Sequence, residues 1–147
     1  MPEQTLFFKI AAAFILLALT VFINVAGLTW TMHRLNIAKI GADLRLWSSS
    51  WLLIRLAACV VAIHVVAISI WAGFYVWQGC LPDFHTSLYF SIITYTTVGY
   101  GDVVLTPDWR LLSGVEALTG ILMCGLSTGY FFAVVHRFLS QQSQPAG

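Results

Sequence analysis

Three long apolar stretches constrain the fold of this chain more than any other feature. They run from about Leu6 to Trp30, from about Trp51 to Trp77 and from about Leu111 to Phe138. Each is long enough to cross a bilayer, which takes about 20 apolar residues. Only 9% of the residues are charged, whereas a soluble domain carries about 25%. We therefore predict an all-α integral membrane protein with three transmembrane helices.

A short run with two glycines lies between the second and third apolar stretches. It reads Thr-Thr-Val-Gly-Tyr-Gly-Asp and occupies Thr96–Asp102. Gly99 and Gly101 take positive φ without steric cost, so the backbone conformation can alternate around Val98 and Tyr100. Successive carbonyl groups then point to one side, which an ordinary strand does not allow. This backbone suits a loop that surrounds an ion.

Oxygen atoms arranged in this way replace the hydration shell of a hard, weakly hydrated cation. We expect stacked rings built from the Thr97 hydroxyl and from the carbonyl groups of Thr97, Val98, Gly99 and Tyr100. Gly101 and Asp102 would close the outer end. One chain supplies one wall of each ring, so further copies of the chain are expected around one axis.

The segments around this run have their own start signals. Asp83 follows Pro82 and is predicted to cap a short helix. The partial negative charge at the C-terminal end of this helix would favour a cation below Thr97–Asp102, which we call the filter. Thr106 and Pro107 are predicted to begin the third span. The predicted units are a first helix with a cytoplasmic linker (1–50), an outer helix (51–77), a pore helix (83–96), a filter (97–102), an inner helix (107–139) and a polar tail (140–147).

The stretch from about Leu81 to Arg137 resembles the two-helix pore domain of potassium channels, especially small prokaryotic ones. Gly120 stands where the inner helix of these channels has its hinge glycine. The other residues that carry the resemblance are Thr94, Thr96, Thr97, Val98, Gly99, Tyr100, Gly101 and Asp102. The resemblance implies passive, K⁺-selective conduction through a homotetramer in a prokaryotic cell membrane. It does not cover the first apolar stretch, which is an addition to the two-helix pattern.

Two positions depart from that family pattern. Tyr89 and Phe90 replace the paired tryptophans that many members carry on the pore helix. Ile93 replaces a glutamate that some members carry, so a carboxyl–carboxylate pair with Asp102 cannot form. We predict that the Tyr89 hydroxyl bonds Asp102 instead. Thr96, Gly101, Asp102 and Tyr89 are the expected supporting residues of the filter.

Glu116 is an acid inside the third span, where carboxylates are costly. One interpretation places it behind the filter, joining the inner helix to the pore helix or sensing pH. The other makes it a protonated or hydrogen-bonded packing residue near the outer interface. Both remain open from the sequence.

Small residues recur on the third span at helical spacing. Gly120, Cys124 and Thr128 share one face, with Gly125 and Gly129 beside them. Small residues allow close packing of membrane helices, but we expect Cys124 and Thr128 to face a water-filled cavity. Cys59 and Cys124 have no metal-ligand spacing with Cys80, whose loop position allows an inter-subunit disulfide.

The sequence offers little support for catalysis or for other ligands. The net charge of +1 argues against nucleic acid as a partner, and no nucleotide or Ca²⁺ site is recognisable. We expect no cofactor other than permeant K⁺. A hydrolase would need a nucleophile beside His64, for which Ser69 and Ser127 are the unspecific candidates. We interpret His64 as a hydrogen-bonded bundle residue.

Basic residues indicate the orientation in the membrane. Lys9 and Arg110 would lie on one side, and the other side would hold Arg34, Lys39, Arg45, Arg55 and Arg137. The richer side is expected to be cytoplasmic, which puts the N-terminus outside and the C-terminus inside. The linker carries Leu35, Ile40, Leu44 and Trp47 at roughly helical spacing. A helix on the inner membrane surface and a solvated loop are both open.

Two other functions remain to be weighed. A poorly selective cation channel of the same fold would conflict with the intact Val98–Asp102. A non-conducting accessory subunit could use its extra first span for assembly with other membrane proteins. We expect no cleavable leader and no ligand-sensing domain after the third span, so the filter, the inner helix, the lipid or a partner would control opening.

Overall fold

The computed structural model describes residues 3–34 and 46–142, and within them all regular structure is helical. Three of the helices are long and apolar enough to span a membrane. This confirms the predicted all-α membrane fold. The helices are α1 (Glu3–Arg34), α2 (Leu46–Trp77), α3 (Phe84–Tyr95) and α4 (Arg110–Gln142).

Several sequence predictions concern residues outside those ranges. The linker positions Leu35, Ile40 and Leu44, the basic residues Lys39 and Arg45, and most of the polar tail lie outside the described residues. α2 begins at Leu46, five residues before Trp51, where the outer helix was predicted to begin. Its backbone is helical through the polar run that precedes Trp51.

A glycine ends α2 in a defined manner. Gly79 has a φ of 64°, a left-handed conformation that only glycine adopts freely. The Cys80 N–H donates to the Tyr75 carbonyl at 2.9 Å and the Gly79 N–H to the Val76 carbonyl at 3.0 Å. This pair of bonds is a Schellman motif, which satisfies the last carbonyl groups of the helix. The chain can then turn directly towards α3.

The short helix α3 has the predicted N-cap. The Asp83 carboxylate accepts the Thr86 N–H at 2.9 Å and the Thr86 hydroxyl at 2.8 Å. These hydrogen bonds, the backbone one first, lower the pKa of Asp83. At its other end Thr96 caps the helix through its N–H, which bonds the Ile92 carbonyl at 3.1 Å.

The start of α4 differs from the prediction that the inner helix begins at Pro107. The Thr106 carbonyl accepts the Trp109 N–H at 2.9 Å, which closes a four-residue turn. The α-helix follows at Arg110. Thr106 therefore initiates a tight turn before the helix, because its carbonyl is engaged by an i+3 donor instead of the i+4 donor that an α-helix requires.

The first helix packs inside the same subunit against α2 and α4. Trp71 of α2, fully buried, donates its indole N–H to the Thr20 hydroxyl of α1 at 3.0 Å. A Cβ at Gly27 would lie 2.7 Å from Ile63, so glycine allows α1 and α2 to approach closely, as small residues do between membrane helices.

The core of the subunit lies around the C-terminal half of α2 and the pore helix α3. Trp71, Tyr75 and Tyr95 are its largest buried side chains among the described residues. Tyr75 meets Phe90 edge to face, with ring centroids 5.3 Å apart. This aromatic cluster holds α3 against α2 and thereby positions the segment that follows α3.

Gly120 of α4 provides a test of this packing. A Cβ at Gly120 would collide with the backbone carbonyl of Tyr95, and backbone atoms cannot move aside as a flexible side chain can. We expect Gly120→Ala to destabilise the protein by about 1–3 kcal/mol, as over-packing does. The measurement is thermal unfolding in detergent micelles, followed by circular dichroism.

Gly114→Ala is the matched control for that substitution. Gly114 lies on the same helix, and a Cβ there would meet no atom of the described chain within 4 Å. Alanine is the better helix former, so this variant should unfold at the same temperature as the wild type or slightly higher. Equal unfolding temperatures for the two variants would contradict the close packing of α4 on Tyr95.

Candidate functional site

The segment after α3 has an alternating backbone conformation. Gly99 has a φ of 51° and Gly101 a φ of 78°, so the positive φ angles predicted for the two glycines are present. Thr97 also has a positive φ, 61°, which the sequence did not indicate because β-branched residues rarely adopt it. Left-handed residues thus alternate with Val98 and Tyr100, the arrangement that turns successive carbonyl groups to one side.

Backbone hydrogen bonds attach this segment to the end of α3. The Thr97 N–H donates to the Thr94 carbonyl at 2.9 Å, and the Gly99 N–H donates to the Ile93 carbonyl at 3.0 Å. The Thr96 hydroxyl donates to the Ile92 carbonyl at 2.7 Å. The last carbonyl groups of the pore helix are therefore occupied by the segment itself, which fixes where the segment starts.

The outer end of the segment is held by the hydrogen bond predicted between Tyr89 and Asp102. The Tyr89 hydroxyl donates to Asp102 Oδ2 at 2.6 Å. This bond, the largest influence on the carboxyl, lowers the pKa of Asp102, and it raises the pKa of Tyr89 in turn. Asp102 therefore remains a carboxylate to lower pH than an isolated aspartate.

Glu116 lies at the junction of three helices. It is fully buried, and its Oε2 accepts the Tyr75 hydroxyl of α2 at 2.6 Å. Its Oε1 accepts the Ser91 hydroxyl of α3. Ser91 Oγ also lies 3.1 Å from the Ile68 carbonyl oxygen. The carboxyl thus joins the inner helix to the pore helix, and its burial and hydrogen bonds are compatible with both interpretations made from the sequence.

The three small-residue positions of α4 fall into two environments. Gly120 is buried and faces the Tyr95 carbonyl within the subunit. Cys124 and Thr128 are exposed in the single chain, and the Thr128 hydroxyl bonds the Cys124 carbonyl at 2.8 Å. Gly120 therefore allows close approach of α4 to the pore helix. α4 is continuous through this point.

Tyr95 and His64 form a contact that sequence reasoning missed. His64 Nδ1 lies 3.2 Å from the Tyr95 hydroxyl, and their ring centroids are 5.8 Å apart. The two residues are separated by a turn and a helix, so no local pattern could indicate their contact. The Tyr95 hydroxyl is the hydrogen-bond partner of His64 Nδ1. The Ser69 hydroxyl donates to the Val65 carbonyl of its own helix. The hydrolase interpretation receives no support here.

Polar contacts also connect the start of α1 to the turn that precedes α4. Lys9 Nζ donates to the Asp108 carbonyl at 2.8 Å and lies 4.9 Å from the centre of the Trp109 ring. The start of α1 is therefore on the same side of the bundle as the exit of the segment. Among the described residues, no cluster of three His, Cys, Asp or Glu side chains could hold a metal ion.

Comparison with known families identifies the class of this protein. A family model described as an ion channel matches residues 61–137, which is more than half of the 147-residue chain. The chain therefore belongs to this ion-channel family. The matched region begins within α2 and ends at Arg137, so it contains α3 and Thr96–Asp102 and leaves out α1. No curated protein and no solved structure matched the chain.

The Tyr89–Asp102 bond generates a prediction about acid sensitivity. Because the bond lowers the pKa of Asp102, the carboxylate charge is present at neutral pH and is lost as pH falls through that lowered pKa. Tyr89→Phe removes the donor, so the loss should begin at higher pH. We expect the acid inhibition of ionic current in planar bilayers to shift upward in pH.

Tyr130→Phe is the control, because the Tyr130 hydroxyl is buried and has no hydrogen-bond partner in the described part of the chain. Its current should titrate as the wild-type current does. Unchanged conduction, inactivation and acid inhibition in Tyr89→Phe would show that the bond has no influence on the segment.

The environment of Glu116 generates a second prediction. The carboxamide introduced by Glu116→Gln has one acceptor oxygen in place of two. Ser91 retains the Ile68 carbonyl as an acceptor, so the Tyr75 hydroxyl is the donor that loses its acceptor when the amide NH₂ group faces it. An unpaired buried hydroxyl costs about 1–3 kcal/mol. We therefore expect Glu116→Gln to unfold at lower temperature and to change the pH dependence of the current.

Asp108→Asn is the control for that substitution, because Asp108 is an exposed acid in the turn that precedes α4. The unfolding temperature of Asp108→Asn should be closer to that of the wild type than the unfolding temperature of Glu116→Gln is. A flat pH response in both the wild type and Glu116→Gln would exclude a role of Glu116 in pH sensing.

Proposed function

We propose that this ion channel conducts K⁺ selectively and passively through a homotetrameric pore. The observation that carries the proposal is the alternation of positive φ at Thr97, Gly99 and Gly101. This alternation supports a column of oxygen ligands from Thr97, Val98, Gly99 and Tyr100. K⁺ is a weakly hydrated cation whose water shell such carbonyl groups can replace.

The exposure of the filter supports assembly with further copies of the chain. Tyr100 is 74% exposed and Val98 is 51% exposed in the single subunit. Non-helical backbone at membrane depth is tolerated only where protein surrounds it or water lines it. Four chains around one axis meet both conditions, because neighbouring subunits cover the back of each filter and the ions occupy the front.

Charge around the outer mouth fits cation entry. Asp83 precedes the filter in the chain, Asp102 and Asp108 follow it, and Lys9 contacts Asp108. A ring of carboxylates raises the local concentration of cations and thereby the rate of entry. We propose that this side is extracellular, with the N-terminus outside and the C-terminus in the cytoplasm of a prokaryotic cell.

The deciding experiment measures K⁺ and Na⁺ flux from liposomes that contain the purified protein. The wild type should pass K⁺ in preference to Na⁺. Tyr100→Ala should reduce K⁺ flux by about tenfold or more, because it removes the side-chain packing that holds the Tyr100 carbonyl in position, although the carbonyl itself remains. Val104→Ala is the matched control, since Val104 is 62% exposed and lies beyond the filter.

Each alternative function predicts a different flux result in this experiment. Equal K⁺ and Na⁺ flux would establish a poorly selective cation channel. A folded tetramer that passes neither ion at any pH or membrane voltage would favour a non-conducting accessory subunit. Loss of flux in Val104→Ala equal to that in Tyr100→Ala would contradict the assignment of the filter residues.

A further inference from the structure

Two polar contacts join α2 to the pore helix α3. The Ser91 hydroxyl oxygen lies 3.1 Å from the Ile68 carbonyl oxygen, and the Tyr95 hydroxyl lies 3.2 Å from His64 Nδ1. On each helix the two residues are four positions apart, so both contacts lie on one face of α2 and on one face of α3. Two contacts one helical turn apart restrict both the rotation of α3 and its position along α2.

The second of these contacts is at the end of the pore helix, where the filter begins. Tyr95 is the last residue of α3 and is 1% exposed. The two residues before it, Ile93 and Thr94, have carbonyl groups that accept the N–H groups of Gly99 and Thr97. The position of the filter backbone therefore depends on the last turn of α3.

Tyr95 is in contact with both long helices of the matched channel region. Its carbonyl lies where a Cβ at Gly120 of α4 would be, and its ring is tilted against the His64 imidazole of α2, with centroids 5.8 Å apart. The hydrogen bond to His64 adds a preferred direction, because such a bond weakens steeply when donor and acceptor are misaligned. His64 therefore restrains the Tyr95 ring and, through the ring, the last turn of α3.

We propose that His64 is a positioning residue for the selectivity filter, acting through the Tyr95 hydroxyl. This hydroxyl donates to Nδ1 when the imidazole hydrogen is on Nε2, and it accepts from Nδ1 in the other tautomer. In either case one hydrogen bond holds the last turn of α3 against α2, and neither side chain is a ligand of the ion. The inference deepens the proposed function and rests on it, because its consequence is a change in K⁺ selectivity.

The test is a double-mutant cycle with the K⁺/Na⁺ permeability ratio of the full-length channel as the readout. His64→Leu removes the imidazole, and Tyr95→Phe removes only the hydroxyl. Each change should lower the ratio about threefold, the equilibrium factor that corresponds to an average interhelical hydrogen bond in a membrane. The double variant should also show a loss of about threefold, because both changes break the same bond.

A conservative variant separates the hydrogen bond from the volume of the side chain. His64→Asn places an amide near the position of Nδ1, and an amide can donate or accept, so it can bond the Tyr95 hydroxyl in either direction. The permeability ratio of His64→Asn should therefore be close to that of the wild type. A ratio as low as that of His64→Leu would overturn the role of the hydrogen bond.

Two control variants test for general effects on the bundle. Ser69→Ala removes a hydroxyl of α2 that donates to the Val65 carbonyl of its own helix at 2.7 Å. Thr20→Val removes the acceptor of the buried Trp71 indole, which weakens the packing of α1 on α2 and leaves the proposed hydrogen bond in place. Both variants should keep the wild-type permeability ratio. Equal losses in Thr20→Val and His64→Leu would overturn the inference, because the ratio would then follow the stability of the bundle.

A second readout does not depend on conduction. In ¹⁵N-histidine-labelled channel, the NMR signal of His64 Nδ1 should move in Tyr95→Phe and stay in place in Ser69→Ala. An unmoved signal in Tyr95→Phe would overturn the inference whatever the channel conducts. An unchanged ratio in both single variants of a K⁺-selective wild type would overturn the inference alone.

The remaining outcomes distinguish this inference from the proposed function. Losses that multiply to about ninefold in the double variant would overturn the coupling of His64 to Tyr95. A wild-type channel that does not prefer K⁺ would overturn the proposed function, and the role of His64 in selectivity with it. Should His64→Leu fail to assemble, Tyr95→Phe decides, because an unchanged ratio in that variant would overturn the inference and a threefold loss would support it.

Discussion

The structure depends on one constraint, which is that a non-helical backbone must be held in position at membrane depth. A helix satisfies its own N–H and carbonyl groups, but Thr96–Asp102 cannot, and lipid offers no hydrogen bonds. The chain meets this constraint at both ends of the segment. The carbonyl groups at the end of α3 accept N–H groups from Thr97 and Gly99, and Tyr89 holds Asp102. In the function proposed above, the carbonyl oxygen atoms of this segment would be available to an ion.

The helices around this segment are joined by a few polar contacts within an apolar bundle. Tyr75 and Ser91 meet at Glu116, and His64 meets Tyr95. A hydrogen bond between membrane helices contributes about 0.6 kcal/mol on average, so no single contact dominates stability. These hydrogen bonds act mainly on the geometry of the bundle, because a hydrogen bond fixes the rotation and depth of a helix more strictly than apolar packing does. The position of the pore helix follows from several such contacts acting together.

Sequence patterns indicated the parts of the site that depend on local chemistry. The positive φ of Gly99 and Gly101, and the cap at Asp83, follow from what those residue types do anywhere. The bond from Tyr89 to Asp102 followed from substitutions at nearby family positions. The partners of Glu116 could not be predicted, because Tyr75 and Ser91 are remote in sequence and nothing local links them. The late start of α4 was missed because Thr106 and Pro107 suit a tight turn as well as a helix start.

The left-handed conformation of Thr97 has an energetic consequence. A β-branched residue with a φ of 61° stores about 1–3 kcal/mol of backbone strain, whereas glycine would adopt the same angle without cost. Local preference therefore opposes the shape of the filter at this residue, and the surrounding contacts impose it. When a supporting contact breaks, the peptide at Thr97 can lower its free energy by turning over. Thr97 is therefore the residue of Thr96–Asp102 at which we expect the backbone to rearrange first.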